Sequence, residues 1–398
     1  MKVHWYLSFI EIPDLELKRV AEVNCTRDNT IQNMINKTRL IVVGGFLGAG
    51  KTTLLYETTK YLMNQGKKVG LITNDQASEL VDTAILLQTN VKVAEVSGSC
   101  FCCNFKGLVE SIKQVNSDAN ADIIIAEPVG SCTDLSSTII QPLKANLKRE
   151  LLVSPLTVMA DPLKLTSIMK GGNAGLHPSS AYIYQKQLEE SDIILISKTD
   201  LLDKNELELL KEKVKFNYPN SDVLAVSSKT GDGIDNWMKL ILSRTKSGQK
   251  IIEVDYDTYA EGEAVLGWLN ASVKLEGNKI DWDESAKRFM QDLSYKIEKQ
   301  NISVGHLKII LENGSNHLIG NLTGKAETLS FRGEAGISDD VKMIINARIG
   351  VNPKNLDKIV KESLEKITKD SIKMKINAWK CLSPGYPKPT FRYTKIVD

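Results

Sequence analysis

Two stretches of this 398-residue chain carry residues whose types and spacing can do chemistry. The first, Gly45-Phe46-Leu47-Gly48-Ala49-Gly50-Lys51-Thr52, fills the pattern G-x-x-x-x-G-K-T. Its glycines let backbone N–H groups turn inward, where with the positive end of a following helix they form a concave anion site. Lys51 is placed to reach β- and γ-phosphates and Thr52 to offer its hydroxyl to Mg²⁺, while Gly45, Gly48, Ala49, Gly50 and Thr53 supply the cradle. The second stretch is Cys100-Phe101-Cys102-Cys103. Three thiols so close together can converge on one soft or borderline cation but are badly placed to pair with one another as disulfides. They leave a coordination position open, which suits an ion that is passed on. Zn²⁺ is the default expectation, with Co²⁺ or Ni²⁺ also admitted. Cys132 joins the triplet if the strand before it neighbours the strand before Cys100. Cys25 and Cys381 have no evident partner, and His4, His177, His306 and His317 show no ligand spacing.

A third element concerns the base. Ile196-Ser197-Lys198-Thr199-Asp200 stands where a guanine-reading N-K-x-D element belongs. One Asp200 carboxylate can accept from both N1–H and the N2 amine of guanine, and adenine offers neither donor there. The stem of Lys198 would lie along the base, and Ser227-Ser228-Lys229-Thr230-Gly231 resembles the second base-contacting loop of GTPases, with Ser228 and Lys229 at the base. Ser197 replaces Asn and lacks its amide, so the expectation is GTP preference with weakened affinity.

These residues need strand ends to hold them. Arg39-Leu40-Ile41-Val42-Val43 reads as a buried parallel strand before the phosphate loop, and a helix opens after it at Thr53. Further apolar runs at 69–73, 91–96, 123–126, 156–160, 193–197 and 223–226 are continuous, as expected of strands covered by helices on both faces. The fold expected is a doubly wound, mostly parallel α/β P-loop sheet over 38–250, with nucleotide at the carboxyl ends of its strands. Residues 1–37 read as an irregular extension, within which Met34 stands just ahead of the first core strand. Over 251–377, strands at 264–275, 306–311, 341–347 and 371–376 and helices at 284–299 and 353–367 give a βαββαβ order. This, with an extra hairpin near 317–331, indicates a smaller ferredoxin-like α+β domain. The tail, 378–398, reads as irregular, and its Pro- and aromatic-rich start serves either as a docking segment or as a packed strap.

Composition narrows the class further. Hydrophobic content of 42% and charged content of 25% are those of a folded soluble protein. A net charge of +2 argues for no nucleic acid and no anionic membrane as partner. No apolar run approaches a bilayer span. Met1–Ile10 holds His4 and runs into Glu11 without a small-residue cleavage site, so a cytoplasmic protein is expected.

The phosphate loop, the Cys-Phe-Cys-Cys triplet, Glu127-Pro-Val-Gly130 and Ser197-Lys-Thr-Asp200 occur in an order that resembles the CobW-type P-loop GTPases, as a divergent subgroup. By that resemblance Lys51 and Thr52 take the phosphate and Mg²⁺ contacts. Glu127 and Gly130 match the acidic strand-end motif, Cys100, Cys102 and Cys103 the metal triplet, and Asn74, Asp75 and Asp82 the first switch segment. Gly98-Ser99 stands where the family has Asn-Gly. The implied protein is a GTP-hydrolysing metallochaperone that delivers a divalent metal to a client metalloprotein. The alternative is an accessory GTPase for a cobalamin, corrinoid or other cofactor-dependent enzyme. Glu127, Asp75 and Asp82 compete as the residue that orients the hydrolytic water, and a homodimer is left open. No arginine is placed as an obvious internal finger, so slow turnover, accelerated by a partner, is expected.

Overall fold

The computed structural model describes residues 37–75, 91–324, 329–369 and 371–398. The proposed irregular extension, Met34, Cys25 and Asp82 lie outside the described residues, as does the side chain of Asp75.

A parallel sheet is built from runs of Ile, Val and Leu that are almost wholly excluded from solvent. Its strands are β1 (Thr38–Gly45), β2 (Val69–Asp75), β3 (Lys92–Ser97), β4 (Ile123–Glu127), β5 (Leu151–Val153), β6 (Thr157–Ala160), β7 (Ile193–Ile196) and β8 (Asp222–Ala225). They run in the order β3-β2-β4-β1-β6-β7-β8, with β5 beside the first half of β1. Every pair is parallel, so both faces must be covered by crossover helices. Helix α1 (Lys51–Asn64) packs Leu54, Leu55 and Leu62 against one face, and α2 (Phe105–Ala119) packs Leu108, Ile112 and Val115 against the other. The carboxyl ends of β1, β2, β3, β4 and β6 therefore converge on one edge of the sheet, where a doubly wound fold places its ligand.

The second sheet is antiparallel and contains β9 (Gly267–Asp281), β10 (Val304–Asn313), β11 (Asn316–Leu322), β12 (Ser330–Glu334), β13 (Ile337–Ile349) and β14 (Lys373–Leu382). The order is β12-β11-β10-β13-β9-β14. Leaving out the β11–β12 hairpin, this is the strand order of a ferredoxin-like βαββαβ unit, with α4 (Trp282–Lys299) and α5 (Pro353–Thr368) as its helices. Phe289, Leu293, Leu356 and Leu364 from those helices meet Leu307, Ile309, Met343 and Ile345 in one core. Strand alternation puts Ile310, Ile319 and Ile344 on the opposite face, where they close on Tyr56 of α1. That face abuts the nucleotide-loop side of the first sheet, which is why β10 and β13 are buried on both sides.

Two boundaries differ from the sequence reading. Residues 378–382, expected to be irregular, continue β14, because Lys380, Cys381 and Leu382 pair with Asn270, Leu269 and Trp268 of β9. Ala264, expected to begin a strand, ends a helix, α3 (Tyr256–Ala264), capped by Asp255.

Candidate functional site

The loop between β1 and α1 needs glycine at two positions for stated reasons. Gly50 caps α1 with φ +90°, a left-handed conformation costly for a side chain. At Gly45, also at positive φ, a Cβ would lie 2.4 Å from the Met159 carbonyl oxygen of β6. The loop thus presses directly on the neighbouring strand.

Inside it, Lys51 and Thr52 are buried, and Lys51 Nζ donates to the Gly45 carbonyl at 2.9 Å and lies 3.9 Å from Glu127. Thr52 Oγ1 donates to Glu127 Oε1 at 3.2 Å. Hydroxyl and carboxylate side by side at a phosphate loop form an oxygen set that suits Mg²⁺ carried in with a nucleotide. A cavity of about 720 Å³ opens here, large enough for a nucleoside triphosphate. Gly48, Ala49, Gly50, Lys51, Thr52 and Thr53 line it at one end. Lys198, Asp200, Ser228 and Lys229 also line it, as do Glu127 and Asn74, so sequence-distant candidates share one space.

The base-reading residues are held in place by local bonds. Asp200 Oδ1 accepts from Ser227 Oγ at 2.7 Å, and its other oxygen lies 3.8 Å from Lys229. Lys198, at φ 51°, forms a 2.8 Å ion pair with Asp161. Burial pushes the Asp161 carboxyl up, but Lys198 and Lys164 beside it hold it below the usual range. Ser197, buried, donates to the Ala160 carbonyl at 3.2 Å.

Several residues that line the cavity or hold its lining in place escaped the sequence reading. Asp161 caps the helix after β6 by accepting from Leu163 and Lys164 N–H groups; its position just past a strand beside β1 was the available signal. His306, Lys308 and Arg348 come from the second sheet, and Thr323 from just past the end of β11. The alternation His306-x-Lys308-x-Ile310 marked one face of a strand, but not what that face would meet.

The thiols form a separate cluster at the mouth of β3. Backbone bonds from Cys103 and Asn104 N–H to the Cys100 carbonyl, at 3.0 and 2.9 Å, curl the segment, and Asn104 then caps α2. Cys100 and Cys102 sulfurs are 3.0 Å apart, Cys102 and Cys103 3.9 Å, and all three lie within 4.8 Å of one another. Tetrahedral Zn–S bonds of about 2.3 Å need sulfurs about 3.8 Å apart, so the donor set fits with small adjustments. Thiol contacts from Cys102, Cys103 and Cys132 stabilise Cys100 as thiolate well below the usual range. The contact with Cys100, followed by burial among the thiols, pushes Cys102 and Cys132 up. Cys132 is buried against Cys100 and Cys102, although β2 separates β3 from β4; the strand adjacency expected for this does not exist, and the loop after Glu127 carries the thiol across instead. Glu263 lies nearby in α3, accepts from Ser131 Oγ, and is pushed up to about 8, chiefly by burial.

Two structures tie the cluster to its surroundings. Asn74, at the end of β2 and lining the cavity, donates to the Val96 and Ser99 carbonyls and accepts from Phe101 N–H, all at 2.8 Å. The tail crosses the other side. Lys388 N–H donates to Cys103 Sγ at 3.3 Å, Thr390 N–H to the Cys102 carbonyl at 2.8 Å, and Phe391 packs edge-on to Phe105. Arg392 then pairs with buried Asp134 at 2.7 Å.

Fold and site together define a P-loop nucleotide-binding protein with a thiol cluster beside the loop. Residues 39–224, which hold the first sheet, match the family described as CobW/HypB/UreG, nucleotide-binding domain. The chain is 23% identical over 219 residues to the zinc-regulated GTPase metalloprotein activator 1 of Dictyostelium discoideum, covering 47% of this chain and 45% of that one. It is 24% identical over 218 residues to a zinc chaperone CobW of Sinorhizobium sp, covering 48% and 59%. The chain thus spans about half the length of these curated relatives. Among solved structures, the Zn(II)-bound YjiA GTPase of E. coli superposes with a TM-score of 0.33 at 17% identity, covering 84% of this chain and 100% of that one. Among the described residues no helix is long and apolar enough to cross a membrane.

Proposed function

We propose that this protein binds and hydrolyses GTP and uses the nucleotide state to set its grip on a divalent metal, Zn²⁺ by default, that it hands to a client metalloprotein. The observation that carries this reading is Asn74, one side chain that borders the phosphate cavity and holds the cysteine loop by three hydrogen bonds. The names of the relatives, a zinc-regulated GTPase and a zinc chaperone, support it.

In this reading Lys51 and the loop amides hold the β- and γ-phosphates, and Asp200 with Lys198, Ser228 and Lys229 reads guanine. Mg²⁺ brought by the nucleotide would be held by Thr52 and would neutralise phosphate charge. Glu127, bonded to Thr52, holds or orients the attacking water, with Asp75 as the second candidate. Contacts made by the γ-phosphate draw in the end of β2, and Asn74 transmits that shift to Ser99 and Phe101, on either side of Cys100. Loss of the phosphate relaxes the thiol loop and loosens the ion, which is cargo rather than a fixed part of the fold. The residue ranges 38–250 and 251–377 are the two units of this arrangement, and a cytoplasmic setting fits it.

The test is GTP turnover with and without Zn²⁺ in the wild type, Lys51→Ala and Cys102→Ser. Metal-dependent turnover lost in both variants supports the reading. Turnover indifferent to Cys102→Ser overturns the metal switch and leaves the accessory-GTPase alternative.

A further inference from the structure

The nucleotide cavity has a roof that the first sheet does not make. Alternation on β10 sends Leu307 and Ile309 into the core of the second sheet and His306, Lys308 and Ile310 toward the phosphate loop. Ile310, packed with Ile319 and Ile344 against Tyr56 of α1, fixes the register of that face over the loop. One rung back, Lys308 Nζ comes within 3.5 Å of Thr52 Oγ1, although 256 residues separate them in sequence. Among the described residues the roof also holds Arg348, whose guanidinium stacks on Trp268 at 4.2 Å and donates to the Leu269 carbonyl and to Asn270. Lys308 is half-buried, on a flexible four-carbon stem, and aims its charge at the side of the loop where Thr52 and Glu127 stand.

We infer that Lys308 is an internal catalytic cation for GTP hydrolysis, supplied by the second domain to the γ-phosphate. The inference rests on reading the cavity as a GTP-hydrolysing site. Water oxygen bonds to the γ-phosphorus while the bond from that phosphorus to the β–γ bridging oxygen breaks. The electron pair stays with GDP, and both water protons end on the inorganic phosphate, which leaves as dihydrogen phosphate. Negative charge grows on the bridging oxygen and spreads over the γ-oxygens, and the Lys308 ammonium sits beside it without exchanging a proton. A cation held by Thr52 would repel the ammonium, and the flexible stem of Lys308 lets it turn from the hydroxyl toward the phosphate oxygens. This places in the same chain the finger expected from a partner.

The experiment compares full-length wild type, Lys308→Met and Lys308→Arg in single-turnover GTP hydrolysis, together with affinities for GDP and for a non-hydrolysable GTP analogue. Lys308→Met is expected to slow hydrolysis about 10²-fold, the cost of losing one preorganised donor. It should weaken the analogue while leaving GDP affinity within about twofold, and Lys308→Arg should recover part of the rate. Unchanged GDP affinity shows that the loop remains folded. Hydrolysis by Lys308→Met within about twofold of wild type, or equal losses for GDP and analogue, overturns the proposal alone. A wild type that binds no GTP or never hydrolyses it overturns the GTPase reading, and this proposal with it.

Discussion

Replacing Asn74 with alanine removes three hydrogen bonds of 2.8 Å while leaving the β2–β3 backbone ladder in place, because Asn74 is paired with Val96 through main-chain register. Each bond contributes about 0.5–1.5 kcal/mol net, and the Phe101 N–H would be left buried without its acceptor. Water can replace part of the contact at Ser99, so roughly 2–3 kcal/mol of local stability should go. At about 1.4 kcal/mol per tenfold, the segment around Phe101 should open roughly 30- to 150-fold more often. Hydrogen exchange on a peptide containing Phe101 reads this directly, with α2 as internal reference. Zinc competition titrations on the same variant, with and without GTP analogue, should show the two affinities drawing together. Wild-type protection at Phe101 with an undiminished effect of nucleotide on zinc would refute the role given to Asn74.

Asp200→Asn exchanges a double acceptor for a group that suits xanthine, so GTP affinity should fall by about 10²-fold or more while XTP gains; equal GTP binding by the variant would remove Asp200 from base recognition. Arg392→Ala strips buried Asp134 of its ion pair at a cost of about 1–3 kcal/mol. It should loosen the tail enough that a thiol reagent labels Cys103 several-fold faster, and labelling at the wild-type rate would show that the tail does not guard the cluster. Glu190 is held well above its usual range, chiefly by burial, despite accepting from Ser136 N–H. A raised folded value means its stabilising share is full below the ordinary carboxylate range and is lost as pH rises toward the folded value. Glu190→Gln should flatten the decline of urea midpoint with rising pH, and parallel profiles for the two proteins would contradict this.

The first sheet was legible because its strands announce themselves: runs such as Leu40-Ile41-Val42-Val43 and Ile123-Ile124-Ile125-Ala126 have no other use than burial on both faces. The phosphate loop, Asp200 and the Cys100–Cys103 triplet were legible because their chemistry is local in sequence. What stayed hidden is the work of tertiary contact. Lys308 and Arg348 lie on a strand face whose partner is set by how two sheets meet, and nothing in local periodicity encodes that. Residues 388–392 looked irregular because their order comes from Cys102, Cys103 and Asp134 rather than from a repeating ladder. Cys132 was expected near the triplet through strand adjacency, but it gets there by a loop whose path no pattern announces.

The central claim is that phosphate cavity and thiol cluster are one coupled device. Its most direct test is the zinc affinity of the full-length protein, by competition with a chromogenic chelator, in the presence of GDP and of a non-hydrolysable GTP analogue. The coupling through Asn74 predicts affinities differing by about 5- to 150-fold, the usual range for linked sites, with the same factor returned when zinc is varied and nucleotide affinity measured. Identical zinc affinities in the two nucleotide states would contradict it.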